Sequence, residues 1–268
     1  LAVDERSQSD CEGKLLAFAD FGPLEIMRAE TIGAYPGVLL DRTVVFTGDA
    51  VVDLFHGRSA AEHTWDRTFR FQGTIGAAAG DPQEPLGTSN GYQHLRLRER
   101  KSAEKALSLS WQTPKTQLHV ALAGAPTQSA ILALGPDKDE IALLRQKSRR
   151  ANFGAVLNIK EWGEPAQNVR FIETGSESVV GLAFEKSGRE VTELIAHKAG
   201  SWQAQEWKSD ARVLVVCSDK EGLAQLCWSG GTFVENPART VQLRIERAGN
   251  AFAKRDAGTL KLEPAAAR

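Results

Sequence analysis

The feature that most restricts this chain is the brevity of its apolar segments. Val38-Leu39-Leu40, Thr43-Val44-Val45-Phe46, Val51-Val52-Asp53-Leu54-Phe55 and Leu118-His119-Val120-Ala121-Leu122 are short, rich in β-forming residues and closed off by turn residues, as strands are. The punctuation falls at Gly22-Pro23, Pro36-Gly37, Gly48-Asp49, Gly135-Pro136 and Gly230-Gly231, pairs that set or tolerate turn geometry. Thr68–Gln72, Leu95–Arg98 and Thr240–Arg247 alternate polar and apolar residues, the period of a half-buried antiparallel strand. Sustained helical periodicity is missing. Glu140–Lys147 has the length of two helical turns but runs on without a C-cap into Phe153–Leu157, so it is predicted to be strand. The expected fold is all-β: a large antiparallel two-layer β-sandwich over residues 1–162, then a smaller C-terminal β-domain over 163–268. The boundary is placed in the loop-rich run Glu161–Asn168.

Charge removes several functions. With 33 Lys and Arg against 34 Asp and Glu the net charge is −1, without the positive excess that a nucleic-acid or polybasic membrane binder needs. A hydrophobic fraction of 42% with 25% charged residues is that of a globular chain. No run approaches a membrane-spanning length; even Gly33–Phe46 is broken by Tyr35, Pro36, Asp41, Arg42 and Thr43. The opening Leu1–Arg6 has no initiator Met, basic segment or apolar segment, which reads as a fragment without a signal peptide. Three cysteines make neither a disulfide framework nor a zinc ribbon. Cys217 and Cys227 flank an expected hairpin, where they either pair or, as directly facing strand positions favour, remain two buried thiols.

Chemistry-bearing residues gather in two stretches. No GxSxG elbow, P-loop or GxGxxG follows an expected strand, and no two of His56, His63, His94, His119 and His197 have zincin spacing. The run Asp53–Asp66 (DLFHGRSAAEHTWD) is read as a corner between two strands. Asp53 and His63 there either share a divalent ion with a third ligand from elsewhere or form a plain hydrogen-bonded corner. In Thr88–Leu95, Asn90-Gly91 supplies positive φ, after which Tyr92 and His94 are expected on one face of the next strand. That pair either shares acid/base work and binds sugar hydroxyls or a carboxylate, or packs as an ordinary strand face. The stretch 76–88 is the longest without alternation and is expected to be a functional or mobile loop.

Taken in order, Val3–Gln8, Ala34-Tyr35-Pro36-Gly37-Val38 with Arg42–Phe46, Val51–Phe55 with His63-Thr64-Trp65-Asp66, Asn90–Leu95 and Arg149–Leu157 resemble the C-terminal β-sheet region of heparinase II/III-like polysaccharide lyases, including oligoalginate lyases. The resemblance covers roughly residues 1–160; beyond it only the strand pattern is similar. It implies β-elimination on a uronic-acid glycan such as alginate or a glycosaminoglycan. A base takes the C5 proton, cationic or amide groups neutralise the carboxylate, and an acid protonates the leaving oxygen.

In such lyases the principal Tyr and His come from an α/α-toroid domain that precedes the β region, and the β region supplies a cleft wall. The resemblance thus implies a toroid domain of the same protein as partner, an acidic poly- or oligosaccharide as substrate, and a periplasmic or secreted location. Transferred residue by residue, it offers Tyr35, Tyr92 and His94 as auxiliary catalytic candidates, Arg42, Trp65 and Gln93 as substrate-binding candidates, and Asp53 with His63 as two ligands of a zinc site. The chain departs from the pattern where Phe69, Phe71 and Gln72 stand in place of a further His, and no His lies near Tyr35, so the zinc triad is incomplete. The alternative reading is a non-catalytic carbohydrate-binding or domain-packing module.

Overall fold

A computed structural model describes residues 1–76 and 81–263; residues 77–80 of the expected loop at 76–88 lie outside it. The chain is all-β, 64% strand and 3% helix, in two antiparallel sheets. The first sheet holds β1 (Ala2–Val3), β2 (Lys14–Asp20), β3 (Glu25–Thr31), β4 (Val38–Phe46), β5 (Val51–Arg70), β6 (Thr74–Ile75), β7 (Arg96–Ser102), β8 (Leu107–Gln112), β9 (Gln117–Leu122), β10 (Ser129–Leu134) and β11 (Glu140–Ile159). A short 3₁₀ turn, Lys160–Trp162, leads to the second. That sheet holds β12 (Gln167–Ile172), β13 (Val179–Lys186), β14 (Arg189–Ala196), β15 (Trp202–Ala204), β16 (Trp207–Ser209), β17 (Val213–Asp219), β18 (Gly222–Asn236), β19 (Val241–Asp256) and β20 (Thr259–Glu263). Among the described residues no helix is long and apolar enough to cross a membrane.

The architecture turns on β5 and β11, each 20 residues long and paired along nearly their whole length. Glu140–Lys147 is strand, as its missing C-cap predicts. Residues Val51–Arg58 pair with Arg150–Leu157 and His63–Arg70 with Ile141–Ser148, while residues 59–62 bulge out opposite Arg149 alone. The expected corner between two strands is therefore a bulge inside one continuous strand. A bulge adds residues to one side of a ladder and forces that strand to bend. Asp53 and Arg67 prove the bend: fourteen residues apart on one strand, they are hydrogen-bonded, where a straight strand would separate them by about 45 Å. Gly57 lies inside the fold-over, since a Cβ there would fall 2.5 Å from the Trp65 indole.

Folding the long strands back makes the first sheet enclose its own core, with Phe55, Leu122 and Phe153 from one layer packed against Trp65, Phe69, Leu132 and Leu144 from the other. The outward face of the second layer (Ile131, Ile141, Leu143) is covered by Leu86, Tyr92 and Leu95 of the 81–95 segment. On the opposite side Ile26, Val45, Val52, Leu54 and Val156 meet Leu182, Phe184, Ile195, Val213 and Phe252 of the second sheet in a shared core. The second sheet's far face buries Trp202, Trp207 and Trp228. Cys217 and Cys227 are free, buried thiols; the register sets Cys217 opposite Gln225 and Cys227 opposite Val215.

A polar seam crosses the shared core. Arg28, only 2% exposed, grips Asp41 through two hydrogen bonds (3.0 and 2.6 Å) and donates to the carbonyls of Ala196 and Arg212 at 2.8 Å each. His197 Nδ1 lies 3.1 Å from Asp41 Oδ2, and its ring stacks on His56 at 3.9 Å, which in turn meets Asn152 at 2.7 Å. Burial, then repulsion from His197, lowers the His56 pKa to about 4, so it is held neutral. Burial raises the Glu193 carboxyl to about 8.

Candidate functional site

The site candidates gather around one tight turn. Asp4 and Glu5 adopt φ of 51° and 56°, and Arg6 N–H closes the turn onto the Val3 carbonyl at 3.0 Å. Two consecutive left-handed non-glycine residues carry backbone strain, which persists only where surroundings hold it. Asp4 and Arg6 are each tied directly to a candidate, and Glu5 is tied through Arg145 and Asp66 to a third. Asp4 Oδ2 meets His63 Nδ1 at 2.6 Å; the Arg6 carbonyl accepts from the Tyr35 hydroxyl at 3.0 Å. Glu5 accepts from Arg145 at 2.7 Å, and Arg145 clamps Asp66 with bonds of 2.7 and 2.6 Å. Tyr92 donates its hydroxyl to the same Asp66 at 2.6 Å. The chain passes this point only because residue 87 is glycine: a Cβ would sit 2.8 Å from Tyr92 Cβ and 2.9 Å from Glu5 Oε2.

Tyr92 and His94 do not share a strand face. They lie in a 3₁₀ turn, Tyr92–His94, opened by Asn90 and Gly91 at positive φ. A 3₁₀ turn lacks the period of two on which that expectation rested, so Tyr92 turns into the core while His94 stays exposed. Among the described residues His94 Nε2 meets only the neighbouring Gln93 amide, at 3.2 Å, and Gln93 Oε1 accepts from Gly91 N at 2.9 Å. Burial, then the bond to Asp66, pushes the Tyr92 phenol far above its ordinary range, which makes it a permanent donor. Burial likewise raises Tyr35.

The second constellation centres on Asp53, 4% exposed, whose two oxygens are taken by Arg42 at 2.9 and 3.0 Å and by Arg67. Arg67 also lies over the Phe69 ring at 5.0 Å. Arg42 keeps 48% of its side chain exposed, and the bond to Asp53 raises its pKa further. Two guanidinium groups against one carboxylate leave one positive charge in excess at this edge. That donor set does not fit a zinc ion, because the cation would have to displace arginines from Asp53 and sit beside them. His63 is engaged elsewhere, by Asp4 and by Ser59 Oγ at 3.1 Å. Among the described residues no group of three His, Cys, Asp or Glu is placed to hold a metal.

Trp65, expected to face sugar, is wholly buried and donates Nε1–H to the Ser148 carbonyl at 2.8 Å. It supports His63 from below, with ring centroids 5.8 Å apart. Sequence reasoning missed Arg67, Arg145 and Ser59. Arg145 reaches Asp66 across 79 residues, a separation with no sequence signature. Ser59 is legible only once the bulge is known.

No protein-family model matches this sequence, and no curated protein does. Solved structures do. A heparinase III with methylated lysines superposes with a TM-score of 0.55 at 11% identity, covering 73% of this chain and 29% of that one. The heparan sulfate lyase HepC of Pedobacter heparinus superposes with a TM-score of 0.52 at 9% identity, covering 74% of this chain and 30% of that one. The chain thus spans about 30% of the length of the structures that it matches. At such identity the likeness is one of fold, and it coincides with the region that the ordered motifs pointed to. This chain has the fold of the β-sheet region of heparinase III-type lyases.

Proposed function

We propose that the chain is the β-sheet wall of a polysaccharide lyase that cleaves a uronic-acid glycan by β-elimination. The observation that carries this reading, beside the shared fold, is the half-exposed Arg42 with its excess positive charge over Asp53. A guanidinium already fixed by a carboxylate is oriented to take a uronate carboxylate in a forked pair, and neutralising that carboxylate makes C5 proton removal feasible. Asp53 and Arg67 position it.

The principal acid and base, in this reading, belong to an α/α-toroid domain elsewhere in the same protein. Tyr92 supports that division of labour: as a locked donor to Asp66 it stiffens the wall and has no proton to exchange at neutral pH. Alginate and glycosaminoglycans are the substrate classes to test, and a periplasmic or extracellular location follows from meeting polymer there. The wall divides, in this proposal, into the units 1–162 and 163–268.

Joined to its toroid domain, the protein is expected to generate the ultraviolet absorbance of an unsaturated uronate product. Arg42→Ala should raise KM by about 10-fold or more, the worth of a charged hydrogen bond, and should lower kcat as well, because the charge that Arg42 neutralises grows as the C5 proton leaves. An unchanged KM, with the fold intact by thermal melt, would remove Arg42 from the site. Glycan binding without any unsaturated product would favour the carbohydrate-binding module, a reading that the absence of a free acid or base among Tyr35 and Tyr92 makes worth testing.

A further inference from the structure

The bulge in β5 builds a second arrangement that the lyase reading does not use. Residues 59–62 leave the ladder with β11, so that Ser59 and His63, four apart in sequence, face each other across the bulge. His63 Nε2 lies 3.1 Å from Ser59 Oγ, and His63 Nδ1 lies 2.6 Å from Asp4 Oδ2.

The remaining contacts fix the direction of every proton. Asp4 is anchored twice to Thr64: its Oδ1 accepts from Thr64 N at 2.9 Å and its own N–H donates to the Thr64 carbonyl at 2.8 Å. Burial works against ionisation of Asp4, but the bonds from His63 and Thr64 outweigh it and hold the carboxyl below its ordinary value. An ionised Asp4 only accepts, so the proton of His63 resides on Nδ1 and the lone pair on Nε2 faces Ser59. Ser59 Oγ accepts from Ala61 N–H at 3.2 Å, leaving its own hydrogen for Nε2. The imidazole is held edge-on against Trp65. A serine hydroxyl, a histidine base and an orienting carboxylate in this order are the elements of an activated nucleophile.

The serine also borders a hollow. This hollow, of about 550 Å³, is lined by Ile32, Val38, Leu39, Arg58, Ser59 and Ala60, with Gly37. Its walls are aliphatic apart from Ser59 and Arg58. Arg58 is exposed and makes no hydrogen bond or ion pair among the described residues, so it adds an uncommitted positive charge to the lining of the hollow.

We infer that Ser59, His63 and Asp4 form a nucleophilic site for carboxylic esters with a small aliphatic acyl group. His63 Nε2 takes the Ser59 proton as Oγ bonds to the ester carbonyl carbon. The carbon–alkoxide bond then breaks, and the same proton passes to the leaving alcohol, giving an acyl-Ser59. Water attacks the acyl carbon, gives its proton to His63 and releases the acid, with the proton returning to Ser59. Water is the only co-reactant, and no oxidation state changes.

The test is covalent and independent of lyase activity. The whole chain is treated with a fluorophosphonate probe and mapped by peptide mass spectrometry. The expected result is one adduct on Ser59, with labelling slowed by about 100-fold or more in His63→Gln and Asp4→Asn, the worth of a positioned base. Asp4→Asn keeps an oxygen for Thr64 N–H but offers His63 a donor where it had an acceptor. It therefore reverses the tautomer with the turn intact, and a thermal melt equal to wild type certifies that. Absence of an adduct on Ser59, labelling elsewhere only, or labelling of a folded Asp4→Asn at the wild-type rate would each overturn the inference.

Discussion

Asp41 and Arg42 are neighbours in sequence and end in opposite kinds of environment. Along β4 side chains alternate between faces, so Asp41 points into the seam between the sheets with Arg28, His56 and His197, while Arg42 points to the edge with Asp53 and Arg67. Both regions contain arginine–carboxylate pairs of similar length. In the seam every charge is buried and the Arg28 guanidinium is directed at the Asp41 carboxylate, two carbonyls and the His197 ring of the fold. At the edge one guanidinium remains half open to solvent. The same chemistry therefore serves cohesion in one place and leaves a ligand-ready charge in the other; solvent access makes the difference.

The sharpest way to break that comparison is to cut one pair in each region. Arg28→Met should cost about 3–5 kcal/mol, because it leaves the buried Asp41 carboxylate without its guanidinium and with His197 alone beside it, and should show as a large drop in the urea midpoint. The double variant Arg28→Met/Asp41→Leu should recover most of the loss, since no buried charge is then left unpaired. A cost below about 1 kcal/mol for Arg28→Met would mean that the seam is wet and the contrast false.

Protonation probes the seam next. The folded pKa of His56 is about 4 against an ordinary 6.5, so between those values the unfolded chain binds more protons and stability falls as pH falls through the window. The full drop is of order 3 kcal/mol. Glu193 acts with opposite sign: its folded pKa of about 8 against 4.5 gives stability that is present below pH 4.5 and lost as pH rises towards 8. Because the slopes oppose each other between 4.5 and 6.5, variants separate them. Glu193→Gln should steepen the acid loss of stability in melts at pH 4.5–6.5 and flatten the loss at pH 6.5–8; His56→Gln should do the reverse below 6.5.

Gly57→Ala tests the fold-over that creates the edge region. A methyl placed against the Trp65 indole should cost about 1–3 kcal/mol by overpacking, and should disturb His63, which rests on the same ring. Chemical denaturation measures the first effect and the ring-proton shifts of His63 the second.

The smallest effects belong to the edge itself. Tyr92→Phe should lose about 1 kcal/mol, since Asp66 keeps both bonds from Arg145. Arg42→Met should change stability by less than about 1 kcal/mol, as expected for a half-exposed pair whose carboxylate retains Arg67. A larger stability loss in Arg42→Met than in Arg28→Met would invert the assignment of the two regions.

What the sequence determined by itself is the set of properties with a local cause. Strand identity and facing follow from a period of two, so the all-β class, the strand nature of Glu140–Lys147 and the turn at Asn90-Gly91 were legible from residues no more than a few positions apart. Ordered motifs also pointed to the region whose fold the solved lyase structures share. The tertiary structure alone decided the rest. Whether Trp65 faced sugar or core, whether Asp53 met a metal or two arginines, and whether His63 met Asp53 or Asp4 depended on a bulge that folds β5 onto itself and on partners 11 to 83 residues away. Such contacts are set by register and by the path of the bent strand, and no residue carries in its own neighbourhood the information about which distant side chain will stand opposite it.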